Sequence, residues 1–133
     1  MTRRMIREQI FKLLFRIEFN SPDEMDEQCR LFFDRDDVVM GPEDAAYIRE
    51  KYDSIIERLS DIDSAINEKT KGWTTDRMSR VDLTIIRLGV YEIMYDEEIP
   101  DGVAVNEAVE LAKRFGQDES YSFVNGVLSN FIP

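Results

Sequence analysis

The chain has 133 residues, 43% of them hydrophobic and 34% charged, a balance that belongs to a folded globular domain rather than a disordered segment. It carries a formal net charge of -11 and no histidine, which excludes imidazole-dependent nucleophilic or acid–base catalysis and ordinary transition-metal sites. The single cysteine, Cys29, rules out an internal disulfide and a cysteine-rich zinc module.

The charge is unevenly spread. Residues 1–16 hold Arg3, Arg4, Arg7, Lys12 and Arg16 against Glu8 alone, a local +4, so the rest of the chain carries -15. Arg3 to about Phe19 is predicted to be an amphipathic helix, because Ile6, Ile10, Leu13, Leu14 and Ile17 recur at three- and four-residue intervals. Thr2 is its expected N-cap, and Asn20-Ser21-Pro22 stops it. On such a helix Arg4, Glu8, Lys12 and Arg16 share one ridge, and Arg7, Phe11 and Phe15 the next. Cations beside aromatic rings suit single-stranded nucleic acid, which offers phosphates and unstacked bases. The plainer alternative assigns Phe11 and Phe15 to the core and leaves the charges as a solvated face with local pairs such as Glu8 with Lys12.

A second helix is predicted from about Asp23 to Phe33, with Met25, Cys29, Phe32 and Phe33 inward, followed by an acidic connection through Asp34-Arg35-Asp36-Asp37 to Gly41-Pro42. Glu43 to about Ser60 reads as a third, with Ala46, Tyr47, Tyr52, Ile55, Ile56 and Leu59 as core positions. Asp61 to Thr70 is either a fourth helix or a continuation of the third. Lys71-Gly72 supplies a stop, and a short turn follows at about Arg77 to Ser79. Val81 to Tyr95 is apolar on almost every side, which predicts a central helix buried by several neighbours, with Gly89 permitting close approach. After a loop over Asp96 to Gly102, Val105, Ala108, Val109, Ala112 and Phe115 define a helix ended by Gly116. A last helix spans about Glu119 to Phe131, with Asp118 as its cap and Gly126 allowing close packing between Phe123 and Val127. Asn106 and Glu107 are expected to satisfy the start of the preceding helix, and Lys113 to suit the dipole in its last turn. The predicted fold is all-α, about seven helices in two packed subdomains, approximately 1–71 and 72–133.

No catalytic constellation emerges, and no cofactor or metal is expected. The acids at 34, 36 and 37, and at 96 to 98, lack calcium-loop spacing and read as solvated loops. Trp73 reads as a structural wedge and Cys29 as a buried thiol. No apolar run suffices for a membrane helix or a signal-peptide core, so the expectation is a cytoplasmic protein that binds rather than catalyses.

Three ordered blocks then carry a resemblance. Arg80 to Glu92 (RVDLTIIRLGVYE) is followed by Ile99-Pro100, then by Val103 to Gly116 (VAVNEAVELAKRFG), then by Ser120 and Phe123 to Leu128 (FVNGVL). With Arg7-Glu8, Leu14-Phe15 and Trp73, these resemble the transcription antitermination factor NusB family over essentially the whole chain. The resemblance implies an all-α adaptor of transcription antitermination that binds boxA-like single-stranded RNA together with ribosomal protein S10 (NusE). RNA polymerase and other Nus factors are the implied partners in a larger complex. It places Arg3, Arg4 and Arg7, with Lys12 and Arg16, in the RNA-binding set, together with Glu119, Ser120 and Phe123. Arg80, Thr84 and Arg87 lie near the implied protein-binding surface. The acidic body suits a basic partner by charge complementarity. The competing reading is a protein-interaction or homodimerisation module with little RNA binding of its own; a third, the accessory RNA-binding domain of an RNA methyltransferase, implies no methyltransferase activity in this chain.

Overall fold

The computed structural model describes residues 1–133 and contains seven α-helices and no strand. They are α1 (Arg3–Phe15), α2 (Met25–Phe33), α3 (Pro42–Glu57), α4 (Leu59–Lys69), α5 (Arg80–Tyr95), α6 (Asp101–Phe115) and α7 (Ser120–Ser129). Short 3-10 turns lie at Arg16–Glu18, Pro22–Glu24 and Thr75–Arg77. No helix is long and apolar enough to cross a membrane. The chain divides into two compact units, Met1–Ile56 and Glu57–Pro133. The stretch 57–71, expected with the N-terminal half, therefore belongs with the C-terminal unit, where α4 packs on α5.

In the N-terminal unit, Thr2 caps α1 by accepting a hydrogen bond on its hydroxyl from the Met5 backbone N–H at 3.1 Å. The helix tightens into a 3-10 turn at Arg16 instead of running on to Phe19, and Asn20 accounts for one freed carbonyl by donating to Arg16 O at 2.8 Å. Ser21 and Glu24 form a reciprocal capping box ahead of α2, with Ser21 N–H donating to Glu24 Oε1 at 2.8 Å. That bond holds the Glu24 carboxyl below its ordinary pKa. The core positions of α3 differ from expectation. Ala46 and Tyr47 are exposed, because the inward stripe runs back from Ile55 and Tyr52 to Ile48, at the three- and four-residue spacing of one helix face. Cys29 on α2 and Tyr52 on α3 are both buried in the core of this unit.

The C-terminal unit is organised around α5. Residues Leu83 to Glu92 are all buried, and α4, α6 and α7 each pack against this helix. Gly89 makes that possible: a Cβ there would lie 2.7 Å from Leu128 Cδ1 of α7. The expected close approach is therefore a contact of α5 with α7. α6 begins at Asp101, so Asn106 is an exposed mid-helix residue rather than a helix-start group, while Lys113 does sit in the last turn. The cap of α7 is also not Asp118. Glu119 occupies that position without a side-chain bond, and Ser120 Oγ accepts from the Gln117 N–H at 2.9 Å instead. Gly126 meets nothing within 4 Å, so the close packing expected there is absent.

Two outcomes test these placements. A Cβ at Gly116 would fall 2.5 Å from Ser120 Cβ and 2.8 Å from the Ala112 backbone oxygen. Gly116→Ala should therefore destabilise by about 1–3 kcal/mol, read as a lower urea midpoint with unchanged slope. Burial raises the pKa of both Cys29 and Tyr52, so the unfolded chain releases these protons first. Their contribution to stability is complete at neutral pH and is lost as pH rises past the ordinary thiol value of 9.0. The melting temperature should fall more steeply above that pH in the wild type than in Tyr52→Phe.

Candidate nucleic-acid interface

The first turn of α1 contains Arg3 and Arg4, both exposed, and no acidic residue. Helix N-termini carry partial positive charge and favour acids, so two arginines there oppose the dipole. They are not placed for the stability of the helix. Arg7, one turn on, is buried to 9% exposure. Lys12 pairs with Glu8 at 3.2 Å, the i,i+4 pair expected from the sequence.

Arg16 is drawn inward. Its Nη1 donates to the backbone oxygen and Oε1 of Gln28, each at 3.2 Å, and its guanidinium lies 5.2 Å from the Phe32 ring centre. Burial, and then the neighbouring Arg35, lower its pKa from the ordinary guanidinium value. Arg35 also stacks on Phe32 at 4.2 Å and donates to Gln9 Oε1 at 2.8 Å. Arg16 and Arg35 thus join the α1 segment to α2. Phe11 is core, as the plainer reading held, and Phe15 bridges Phe11, at 6.0 Å between ring centres, and exposed Phe19, at 5.0 Å. Phe19 is an exposed aromatic that the sequence did not single out, because it lies beyond the regular α-helix.

In the C-terminal unit Glu119 is exposed, whereas Ser120 is buried and spends its hydroxyl on the turn before α7. Phe123 is half-buried, with its ring edge-on to Trp73 at 5.4 Å. Trp73 is 50% exposed, so its expected role as a wedge accounts for only part of its surface. Arg77 covers its ring at 5.3 Å and donates from Nη1 to the Gly72 carbonyl at 2.6 Å. Gly72 has φ +79, the left-handed region that glycine favours.

Of the three residues expected at the protein-binding surface, Arg80 is exposed at the start of α5. Thr84 is buried and its hydroxyl donates to Arg80 O at 2.7 Å, a helical back-bond. Arg87 is buried and held bidentately by Asp63 of α4, with both N···O distances 2.8 Å. Thr84 and Arg87 therefore serve the interior of this unit. No group of three or more histidine, cysteine or acidic side chains is placed to hold a metal.

Comparison with known proteins agrees with this architecture. The model of the NusB family matches residues 4–133. The transcription antitermination protein NusB of Agathobacter rectalis is 52% identical over 133 residues, covering 98% of this chain and 99% of its own. That of Lachnoclostridium phytofermentans is 47% identical over 132 residues, with 99% of each chain covered. Among solved structures, T. maritima NusB superimposes with a TM-score of 0.88 at 33% identity, covering 98% of this chain and 90% of its own. A crystal structure of antitermination factors NusB and NusE with double-stranded RNA has a chain that matches with a TM-score of 0.78 at 25% identity, covering 97% and 94%.

The family match over nearly the whole chain and the seven-helix fold shared with solved members place this chain in a class of non-catalytic adaptors of the transcription machinery. The chain belongs to the NusB family of transcription antitermination factors, whose general role is RNA binding in antitermination.

The Arg87–Asp63 pair ties α5 to α4 and should contribute to the stability of the C-terminal unit. Asp63→Asn and Arg87→Ala should each cost about 3 kcal/mol in urea unfolding, because each leaves a buried or half-buried charge without its partner. The double variant should lose less than the sum of the two.

Proposed function

We propose that this protein is an RNA-binding adaptor that engages boxA-like nascent RNA jointly with ribosomal protein S10 (NusE), and acts within a larger complex with RNA polymerase and other Nus factors. The observation that carries the proposal is the exposed Arg3–Arg4 pair, set where the α1 dipole opposes cations, in a chain whose formal charge is -11. A position that costs the helix stability is well explained by a polyanionic ligand. In this reading Arg3 and Arg4 contact phosphates, Arg7 backs them from a buried position, and Lys12 contributes beside Glu8. Arg16 positions the helix through Gln28 and Phe32. Glu119 and Phe123 supply the contribution of the C-terminal unit, with Ser120 closing the turn from Gln117 that leads into α7.

A basic partner follows from the same electrostatics. The acidic remainder repels RNA at long range, and a cationic protein docked on it would remove that repulsion and add positive surface. The likeness to the chain from the complex of NusB, NusE and double-stranded RNA supports this choice of partner. Arg80 is the exposed candidate for the partner-facing surface.

Titration of boxA-like RNA and a scrambled control, with and without S10 and at several salt concentrations, tests the proposal. Affinity should fall with rising salt and favour the boxA-like strand, and S10 should strengthen it. Arg3→Ala with Arg4→Ala should lower the slope of log affinity against log salt by about 0.7 per lost phosphate contact. Unchanged binding by this double variant, alone and with S10, would overturn the arginine assignment. A stable homodimer with no measurable RNA binding in either state would favour the interaction-module reading instead.

A further inference from the structure

We propose that the C-terminal unit carries a nucleotide-sized groove in which one unstacked nucleotide of single-stranded RNA lays its base against Trp73 and its phosphates beside Lys69 and Lys71. The proposal rests on the RNA-binding reading above and assigns it a second site. The groove has a volume of about 400 Å³ and runs between the 69–73 segment and one face of α7. Its lining includes two lysines and no carboxylate, although the chain as a whole carries -11. The local electrostatics therefore favour an anion although the net charge of the chain opposes one.

The indole is held ready rather than buried. Phe123 meets it edge-on, Arg77 lies over it, and the segment that carries it is fixed by Thr70, whose hydroxyl oxygen lies 2.8 Å from Ile66 O and 2.6 Å from Trp73 O. Half of its surface nonetheless remains exposed. A rigid, half-exposed aromatic beside two cations is the combination that single-stranded nucleic acid uses, with base stacking and phosphate contact supplied together.

Gly126 provides an independent indication. It lies within α7, where glycine is the poorest ordinary helix former, yet a Cβ there would meet nothing within 4 Å. Gly89 has Leu128 to explain it; Gly126 has no such neighbour. What its missing side chain preserves is the open volume of the groove, which it lines. Helix stability is given up there to keep a space, and the space is bordered by Trp73 and Lys69.

Trp73 is the only tryptophan, so its emission reports on this site alone. The full chain is titrated with labelled oligouridine, boxA-like RNA and scrambled RNA, and indole emission, iodide quenching and RNA anisotropy are followed together. The expected result is loss of emission and shielding from iodide with the same midpoint as the anisotropy change. Trp73→Phe should retain most of the affinity, and Trp73→Ala should lose on the order of tenfold. Gly126→Leu, which introduces a good helix former and meets no neighbour at its Cβ, should fold at least as stably as wild type and still lose a similar factor. Lys69→Gln with Lys71→Gln should lower the salt slope by about 0.7 per lysine. Indole emission unmoved by saturating RNA, with folded Gly126→Leu and the lysine double variant binding as wild type, would overturn the groove and leave the Arg3–Arg4 proposal standing. Conversely, quenching by oligouridine without preference for the boxA-like strand, with or without S10, would sustain the groove and overturn the proposed antitermination specificity.

Discussion

The structure of the C-terminal unit follows from one constraint: α5 has ten consecutive buried residues, Leu83 to Glu92, and so has no face to give to water. A helix in that position must find a partner on every side and must neutralise any polar group it carries. Thr84 does so within its own helix, and Arg87 does so through Asp63 of α4. Gly89 removes the one side chain that would hold α7 away. With α7 seated through Leu128, its outer face and the segment after α4 frame the space bordered by Trp73. The groove is thus a product of how the central helix is covered: Val127, which lines it, is next to Leu128, which seats α7 on α5.

The cations fall into two populations that the sequence does not separate. Arg16, Arg35 and Arg87 are tied to glutamine, backbone carbonyl or carboxylate groups inside the protein, and Lys12 is matched by Glu8. Arg3, Arg4 and Arg80 are exposed at helix starts, and Lys69 and Lys71 are exposed beside an aromatic. Counting basic residues along α1 therefore overstates the ligand-facing charge. It also misses the lysines of the C-terminal unit, which the acidic residues around them conceal in any sum over the sequence.

Periodicity was enough to read the long helices. The stripes of α1, α5 and α6 are set by local spacing, and the stop signals at Pro22 and Gly116 act within a few residues of where they stand. The fold class follows from the same signals, whereas the family resemblance rests on the ordered blocks Arg80 to Glu92, Val103 to Gly116 and Phe123 to Leu128. What could not be read locally depends on partners distant in the chain. The spacing of α3 is equally compatible with a stripe through Tyr47, and only the packed structure selects Ile48. Arg87 has the appearance of a surface cation until Asp63, 24 positions away, is brought beside it. Ser120 looks like an exposed hydroxyl until the turn closes on Gln117. Gly126 and Gly89 are indistinguishable as letters, and they differ only in whether another helix occupies the space above them.

The two arginines that open α1 also carry an evolutionary consequence. Replacing either with aspartate or glutamate would suit the helix dipole and stabilise the isolated chain by a few tenths of a kcal/mol or more. A lineage screened only for folding robustness would therefore drift toward acidic residues at positions 3 and 4. Persistence of basic residues there under diversification would measure the pressure exerted by a ligand, independently of any structure of the complex.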